Sequence, residues 1–472
     1  MKWAVTSTTI LAFTIFPGWM AAASPSDDAF DAALQQHFGY GPPGPVPGEA
    51  KDEALGQEAD ARYLLSFPDY DRSYKPSARA SAKSMLASLA RKARRMSHEQ
   101  FVLRVAEIAA LADNGHTAVD RNAFMKNTPR IPLRTYLFAD GLYVLYAGPG
   151  FERFLGARID RIEGRTVEDV FRGLRKYRGG ADNFRRLQLL PLLESPAMLQ
   201  AAGLASSRGQ LLLDGVTPDG KRISEAVPAE LRGRSAWVSN TSRLLFPDQL
   251  ADTKMTSFLR ARDAKSAFFH AAKNLFWAET LASGYYIQLA HNADADEGPI
   301  ARFLEQCTSA IERGQPSFVI LDMRLNGGGD YTSTYNFARS LPKTARRAPI
   351  YVLTSGWTFS AAITTVAAVK EAGGDQVRIV GEPVGDRLDF WAEGQSFNLP
   401  NTMLRVNYST GRHVYNGPCR DRETCFWLND RYPVRVTSLS PDIAAPWTFE
   451  AYRAGHDPAL EAALSDAGRS RR

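Results

Sequence analysis

Residues 318–330 read Phe318-Val319-Ile320-Leu321-Asp322-Met323-Arg324-Leu325-Asn326-Gly327-Gly328-Gly329-Asp330. A short apolar run that stops at a cluster of glycines is the pattern of a strand covered on both faces and released into a tight loop. Strand and helix patterns alternate outward from it. Residues 332–341 have helical spacing, 350–353 read as a strand, 359–371 are helical again, and 377–380 form another strand. Such alternation predicts parallel strands with helices packed on them, an α/β core.

Toward the amino terminus the periodicity changes. Residues 136–138, 142–146 and 157–162 read as strands, parted by Asp140 with Gly141 and by the glycines at 148 and 150, and a helix is expected over 167–177. Before them, Ser97 and Gln100 have capping-box spacing, and Phe101, Val105, Ile108 and Ala112 recur along one helical face. That helix should stop at Asn114 and Gly115, which puts His116 just past its end. Residues 24–78 are rich in Pro, Gly, Asp and Ala and read as a loosely structured lead, and residues 237–282 are aromatic-rich and mixed, helical in part.

With 472 residues, the chain exceeds the roughly 250–300 residues at which a single core stops growing, so two or three domains are expected. Its hydrophobic share of 44% and charged share of 23% exclude a mainly disordered or fibrous protein. Lys2, an apolar run and the small residues Ala21, Ala22 and Ala23 ahead of Ser24 have the layout of an export signal over residues 1–23. No later run is long enough to span a bilayer, so no stable membrane span is expected once the signal is removed. Of the three cysteines, Cys419 and Cys425 flank a short polar loop that could close in an oxidising compartment or stay reduced, and Cys307 is left over. No Cys and His cluster has zinc spacing, so no metal is expected. The net charge of +6 is mild, and its basic runs at 91–95 and in the tail 465–472 lack interleaved stacking aromatics, which argues against nucleic acid as a partner.

Three places could carry chemistry. Gly356-Trp357-Thr358-Phe359-Ser360-Ala361-Ala362 carries a serine from a strand into the first turn of an apolar helix, where unpaired N–H groups face whatever sits on it. Taken alone, Ser360 reads more simply as a helix cap. The loop Gly327-Gly328-Gly329 lets backbone approach a reacting carbonyl and offers a further N–H donor, while lacking the Lys and Ser or Thr of a phosphate-binding loop. His116, in Asp113-Asn114-Gly115-His116-Thr117, is the third. Among the other histidines, His37, His98, His270, His291, His413 and His456, only His413 has a comparable place beside a glycine, which makes it the reserve.

In combination these pieces resemble the tail-specific, carboxy-terminal-processing and tricorn-type serine peptidases. The likeness rests on Gly115-His116-Thr117, on Arg324 with Asn326 to the glycines, and on Thr358-Phe359-Ser360-Ala361. It continues through Val380-Gly381-Glu382-Pro383, Pro441-Asp442 and Gly455-His456-Asp457-Pro458-Ala459-Leu460, in family order over residues 97–464. It implies a Clp peptidase/crotonase-like core of stacked strand-strand-helix units over residues 229–464, a helical region over 79–130 carrying His116, and a PDZ-like β-rich domain over 131–228. It further implies peptide-bond hydrolysis through an acyl-enzyme, with Ser360 as nucleophile and Ala361 with Gly327 or Gly328 as the oxyanion hole.

The sequence departs from that pattern where many members place a lysine base, since the nearest basic residue after Gly381-Glu382-Pro383 is Arg387, which cannot release its proton. The branch with an early histidine base fits instead, with His116 in that role. Ile363 stands where an acidic residue is expected. The acid that would orient His116 is left open among Asp386, Asp421, Glu423 and Asp430. The expectation is an exported, periplasmic or secreted serine peptidase acting on polypeptides without a cofactor. A peptidase-fold scaffold and a serine esterase are the alternatives, and the oligomeric state is not legible.

Overall fold

In a computed structural model the chain is described at residue 48 and over residues 50–469, apart from residues 125–127, 231–240, 248, 251–253, 261–262, 265, 297 and 422. The expected export signal and most of the lead lie outside the described residues.

The central sheet has six strands in the order Ile443–Ala444, Val377–Gly381, Ile350–Thr354, Val319–Asp322, Tyr285–Leu289 and Phe276–Thr280. All neighbours are parallel except the last pair, which is a hairpin. The helices Ile300–Gly314, Thr332–Thr344 and Ala361–Gly373 make the crossovers between successive parallel strands. Alternate residues of one strand serve two cores. Val319 and Leu321 pack with Leu304, Phe337, Ile363 and Val366 of the crossover helices, whereas Ile320 packs with Tyr351, Val380, Ala459 and Ala463 beneath the helix Pro458–Arg469. Burial of both faces is why this strand reads as an unbroken apolar run.

A second sheet is antiparallel, with Leu133–Phe138, Gly141–Ala147, Arg158–Ile162, Gln210–Val216 and Arg222–Pro228 in that order. Its strand Gln210–Val216 is covered on one face: Leu211 and Leu213 are buried and Leu212 is 39% exposed, the period of two that marks a half-buried strand, whereas Leu133–Phe138 is buried on both faces. The helices Val167–Leu174, Asp182–Leu189 and Pro196–Ala201 are inserted between its strands. The helix expected over 167–177 thus ends at Leu174 and tightens into the 3-10 turn Arg175–Tyr177. A cleft of about 660 Å³ runs between this sheet and the central core, lined by Gly141, Arg158, Thr166, Asn183, Gly356 and Glu382 among others; Ser360 and His116 do not line it.

The lead is more ordered than its composition implies. Glu53–Tyr63 and Phe67–Tyr70 are helices, the first capped by Asp52 through a 2.8 Å bond from Leu55 N, the second with Pro68 in its first turn. The rings of Tyr63, Phe67 and Tyr70 all pack edge-on against Phe397, and this burial offsets the cost of ordering the segment. Residues 237–282 supply only the short turns Thr241–Leu245 and Ala267–Ala272 and the strand Phe276–Thr280 as described elements of that region, besides Thr256–Ser257. Among the described residues, no helix is long and apolar enough to cross a membrane.

Candidate active site

The strand Ile350–Thr354 delivers the chain to Ser360, the residue ahead of the buried helix Ala361–Gly373. Ser360 stands at the capping position, yet its side chain makes no cap hydrogen bond, and its backbone has φ +57° and ψ −129°. That conformation is costly for a residue with a Cβ, on the order of 1–3 kcal/mol, and is held only where the surroundings over-determine it. Here they do. Phe359 N donates to Asn326 O at 3.0 Å, Thr358 Oγ1 to Met323 O at 2.9 Å, and Ser355 Oγ to Arg324 O at 2.6 Å, so the serine turn is laced to the loop after the strand Val319–Asp322. The capping reading of Ser360 is therefore not what the geometry shows.

Gly328 lies directly against this turn with φ +112°. A Cβ built on it would fall 2.7 Å from Ser360 Cβ and 3.2 Å from Ala361 N, so only glycine fits. Its own N–H donates to Asn326 Oδ1 at 2.9 Å. Gly327 is exposed with open space around it, and Ala361 N lies in the first helical turn, where an N–H has no intrahelical acceptor. Behind the loop, Asn292 receives Asn326 Nδ2 at 2.7 Å and donates to Thr365 Oγ1 at 2.9 Å, which fixes the glycines to the helix. Sequence reading gave neither asparagine a role. Complete burial of two amides is invisible without the fold, and Asn326 before the glycines was the only signal.

His116 arrives from the other side of the molecule. The helix His98–Ala110 carries the expected capping box, and Asp113 turns the chain out of it with φ +48°. Gly179 and Gly180 have no side chains to keep the following loop away: a Cβ on either would lie 2.7–2.8 Å from backbone of Asn114 or Gly115. The imidazole is sandwiched, 4.4 Å from the Phe359 ring and 5.9 Å from that of Phe390, and Phe359 stacks in turn on Phe184 at 4.0 Å. The residue as a whole is half-buried, but both ring nitrogens are sealed from solvent and neither has a hydrogen-bond partner. Burial, then the nearby His413 and Arg178, depress its pKa to about 3; the Trp391 N–H, close by but short of hydrogen-bond geometry, pulls weakly the other way. The structure thus brings His116 to the residue before Ser360 without a hydrogen bond between the imidazole and the serine hydroxyl.

Of the four acids left open, Asp386 is beside this loop. Its Oδ2 would be 3.0 Å from a Cβ on Gly115, and that oxygen is buried and unpartnered. Burial pushes its pKa up to about 7, against the pull of Arg387. Asp421 instead accepts from Thr424 Oγ1 at 2.8 Å, and Asp421, Glu423 and Asp430 are all exposed. Arg387, standing near the lysine position of the resembled family, is tied to Asp113 at 3.0 Å. His413 is fully engaged elsewhere, with Nε2 3.2 Å from Glu393 and Nδ1 3.1 Å from Tyr415 Oη. Cys419 and Cys425 are disulfide-bonded, and Cys307 is free and buried. Among the described residues, no group of three or more His, Cys, Asp or Glu side chains could hold a metal.

No family model matches this chain, and no curated protein matches it by sequence. Solved structures do. Mature CPAF complexed with lactacystin aligns at TM-score 0.53 and 13% identity, over 88% of this chain and 98% of that one. Mature CPAF aligns at 0.52 and 12%, over 88% and 96%, and a CPAF mutant at 0.51 and 13%, over 85% and 95%. Identity this low speaks for the fold alone, and that fold, a mixed α/β architecture with a Clp-like core, is the fold of the tail-specific peptidases.

Proposed function

We propose that this chain is an exported serine peptidase in which Ser360 attacks the scissile carbonyl and His116 takes its proton. The observation that carries the reading is Ser360 itself, held at positive φ at a helix start, without a capping bond, and with Gly328 pressed against it. In the attack, the Oγ–C bond forms and the carbonyl oxygen becomes an oxyanion facing Ala361 N–H and Gly327 N–H; Gly328 N–H is already committed to Asn326. Collapse breaks the C–N bond, His116 returns the proton to the departing amine, and water then releases the acyl group by the same route. Asp386 is the orienting acid, because its free oxygen is beside the histidine loop. The cleft between the second sheet and the core holds part of the polypeptide, with residues 131–228 in the role of a PDZ-like domain. The Cys419–Cys425 bond accords with export to a periplasmic or external, oxidising compartment.

One observation favours a second reading. With both His116 nitrogens and Asp386 Oδ2 unpartnered, the relay is open as it stands, which suits a scaffold that has kept the fold and lost the reaction. Treating the mature protein with a fluorophosphonate separates the two. Labelling that disappears in Ser360→Ala and in His116→Ala supports the peptidase; a folded wild-type protein that takes no label supports the scaffold. Hydrolysis of unfolded polypeptide rather than of simple esters then distinguishes a peptidase from an esterase.

A further inference from the structure

A second cleft, of about 480 Å³, opens on the far side of the histidine loop. Its walls carry Arg172, Arg175, Lys176, Arg178 and Arg185, with Glu107 and Asp113 as the only lining acids, so five cations face two carboxylates. No aromatic ring lines it. From this charge and shape we propose that the cleft binds carboxylate groups of a polypeptide, and this rests on the peptidase reading for the kind of chain that would be presented there.

The cations are poorly compensated from within. Arg185 is only 5% exposed, yet its Nε has no partner; Nη2 donates to Gly180 O and reaches Asp113 at 3.4 Å, and Nη1 reaches Asp182 at 3.4 Å, both carboxylate contacts being long. Arg178 Nε is likewise buried without a partner, although Nη2 donates to Gly115 O at 2.7 Å. Both Nε atoms are sealed from solvent, so the groups left to pair with an incoming carboxylate are the exposed Arg172, Arg175 and Lys176, and the two guanidinium forks can each supply two parallel bonds. Burial, and next the charge of Arg121, lower the pKa of Arg178 to about 10, against the pull of Asp120 and Asp386, so it stays charged. The mouth is formed by exposed groups. Arg172 pairs with Asp169 at 2.5 Å and Arg175 with Asp182 at 3.9 Å, solvent-screened contacts that an incoming anion displaces at little cost.

The chemistry selects among anions. A nucleic-acid strand needs stacking surfaces as well as cations, and none line the cleft. A polypeptide, the kind of chain that the peptidase reading brings there, carries its negative charge as carboxylates. The location links the cleft to the proposed reaction, because the Arg178 that lines it also holds the carbonyl of Gly115, next to His116. A polypeptide anchored here by acidic side chains or by its terminal carboxylate would be fixed beside the histidine loop.

Binding is measured on Ser360→Ala protein by fluorescence anisotropy with three labelled peptides of equal length. One alternates Glu and Ser with an amidated carboxy terminus, one replaces Glu by Gln and keeps the free terminus, and one has Gln and the amide. At least one carboxylate-bearing peptide is expected to bind about tenfold or more tightly than the neutral one, with strong salt dependence. That affinity should fall about tenfold in Arg175→Gln/Lys176→Gln, both exposed side chains whose replacement spares the fold. Which peptide binds identifies the source of the carboxylate. Equal binding of the neutral peptide, no binding of any, or an unchanged affinity in the double variant overturns the proposal. Absence of fluorophosphonate labelling in the wild type would count against the peptidase reading and leave this binding result standing.

Discussion

The imidazole of His116 stacks on the phenyl ring of Phe359, centroids 4.4 Å apart, and the next residue along the chain is Ser360. A histidine from one end of the chain and a serine separated from it by the whole second sheet thus share a neighbour. The ring contact is not itself a path for the proton, since neither imidazole nitrogen has a hydrogen-bond partner.

Gly328 and Gly327 give a paired test of the loop against the serine turn. Gly328→Ala adds a Cβ 2.7 Å from that of Ser360 at a backbone angle of +112°, so it should destabilise the protein by roughly 1–3 kcal/mol and slow fluorophosphonate labelling more than tenfold (about 1.4 kcal/mol of barrier or more). Gly327→Ala meets nothing within 4 Å and should leave the melting temperature nearly unchanged. Thermal melts and labelling rates of the two variants, side by side, decide whether close approach at Gly328 alone is what the loop requires.

How much of this was readable beforehand follows from the kind of signal each feature leaves. The strand at Val319–Asp322 was legible because burial on two faces demands an apolar run, and Ser97 with Gln100 was legible because capping is local. Ser360, His116 and the glycines stood out only through their order in the chain and the family resemblance, and the structure places His116 against Phe359 and Gly328 against Ser360. The helices of the lead were not legible, because their stability comes from Phe397, more than three hundred positions away, rather than from their own composition. Nor could sequence choose Asp386 over Asp421, Glu423 and Asp430, because only a long-range contact with Gly115 distinguishes them.

The Asp386 and His116 side chains should make stability respond to pH in opposite directions. Asp386 has a folded pKa of about 7 against an ordinary 3.8, so its contribution is fully present below 3.8 and is lost as pH rises through 7. His116 has a folded pKa of about 3 against an ordinary 6.5, so its contribution is present above 6.5 and is lost as pH falls toward 3. Between 3.8 and 6.5 the two slopes offset each other. Asp386→Asn removes one of them. Its stability should rise with pH across that window more steeply than the wild type's, and above pH 7 it should be the more stable protein, since it carries no buried charge. The same variant should label more slowly, and a rising limb near pH 7 in the wild-type labelling rate should vanish. Urea unfolding at several pH values, with labelling in parallel, checks both halves.

A buried ion triad holds the other end of the glycine loop. Arg324 donates to Asp457 at 2.6 and 2.9 Å and to Asp322 at 2.6 Å, with all three side chains no more than 5% exposed, and its guanidinium lies over the rings of Phe268 and Trp447. Asp457 also caps the helix Pro458–Arg469 through Leu460 N at 3.1 Å. Asp457→Ala leaves Arg324 paired with Asp322 alone and strips two charged hydrogen bonds and the helix cap, so it should cost about 2–4 kcal/mol in denaturant unfolding. Equal stability of variant and wild type would mean that the triad contributes nothing net to the fold.

Asp71 ties three distant segments together behind His116. Its fully buried carboxylate accepts from Ser73 N at 2.8 Å, from Thr117 Oγ1 at 2.6 Å and from Ser409 N at 3.1 Å, while Asn114 Nδ2 donates to Ser409 Oγ at 2.9 Å. The lead, the histidine loop and the chain before Gly411–Val414 therefore share one acceptor. Asp71→Ala removes the acceptor of two backbone N–H groups and of the Ser73 and Thr117 hydroxyls where water cannot reach, and should lower stability by about 3 kcal/mol or more. Asp71→Asn keeps one acceptor oxygen and the shape but sets an N–H donor against the backbone N–H of either Ser73 or Ser409, so the loss should be smaller than for alanine, about 1–3 kcal/mol. If the contact also fixes where His116 sits, labelling of Asp71→Asn measured well below its melting temperature should remain slower than that of the wild type. Recovery of the full wild-type rate under those conditions would confine Asp71 to holding the fold.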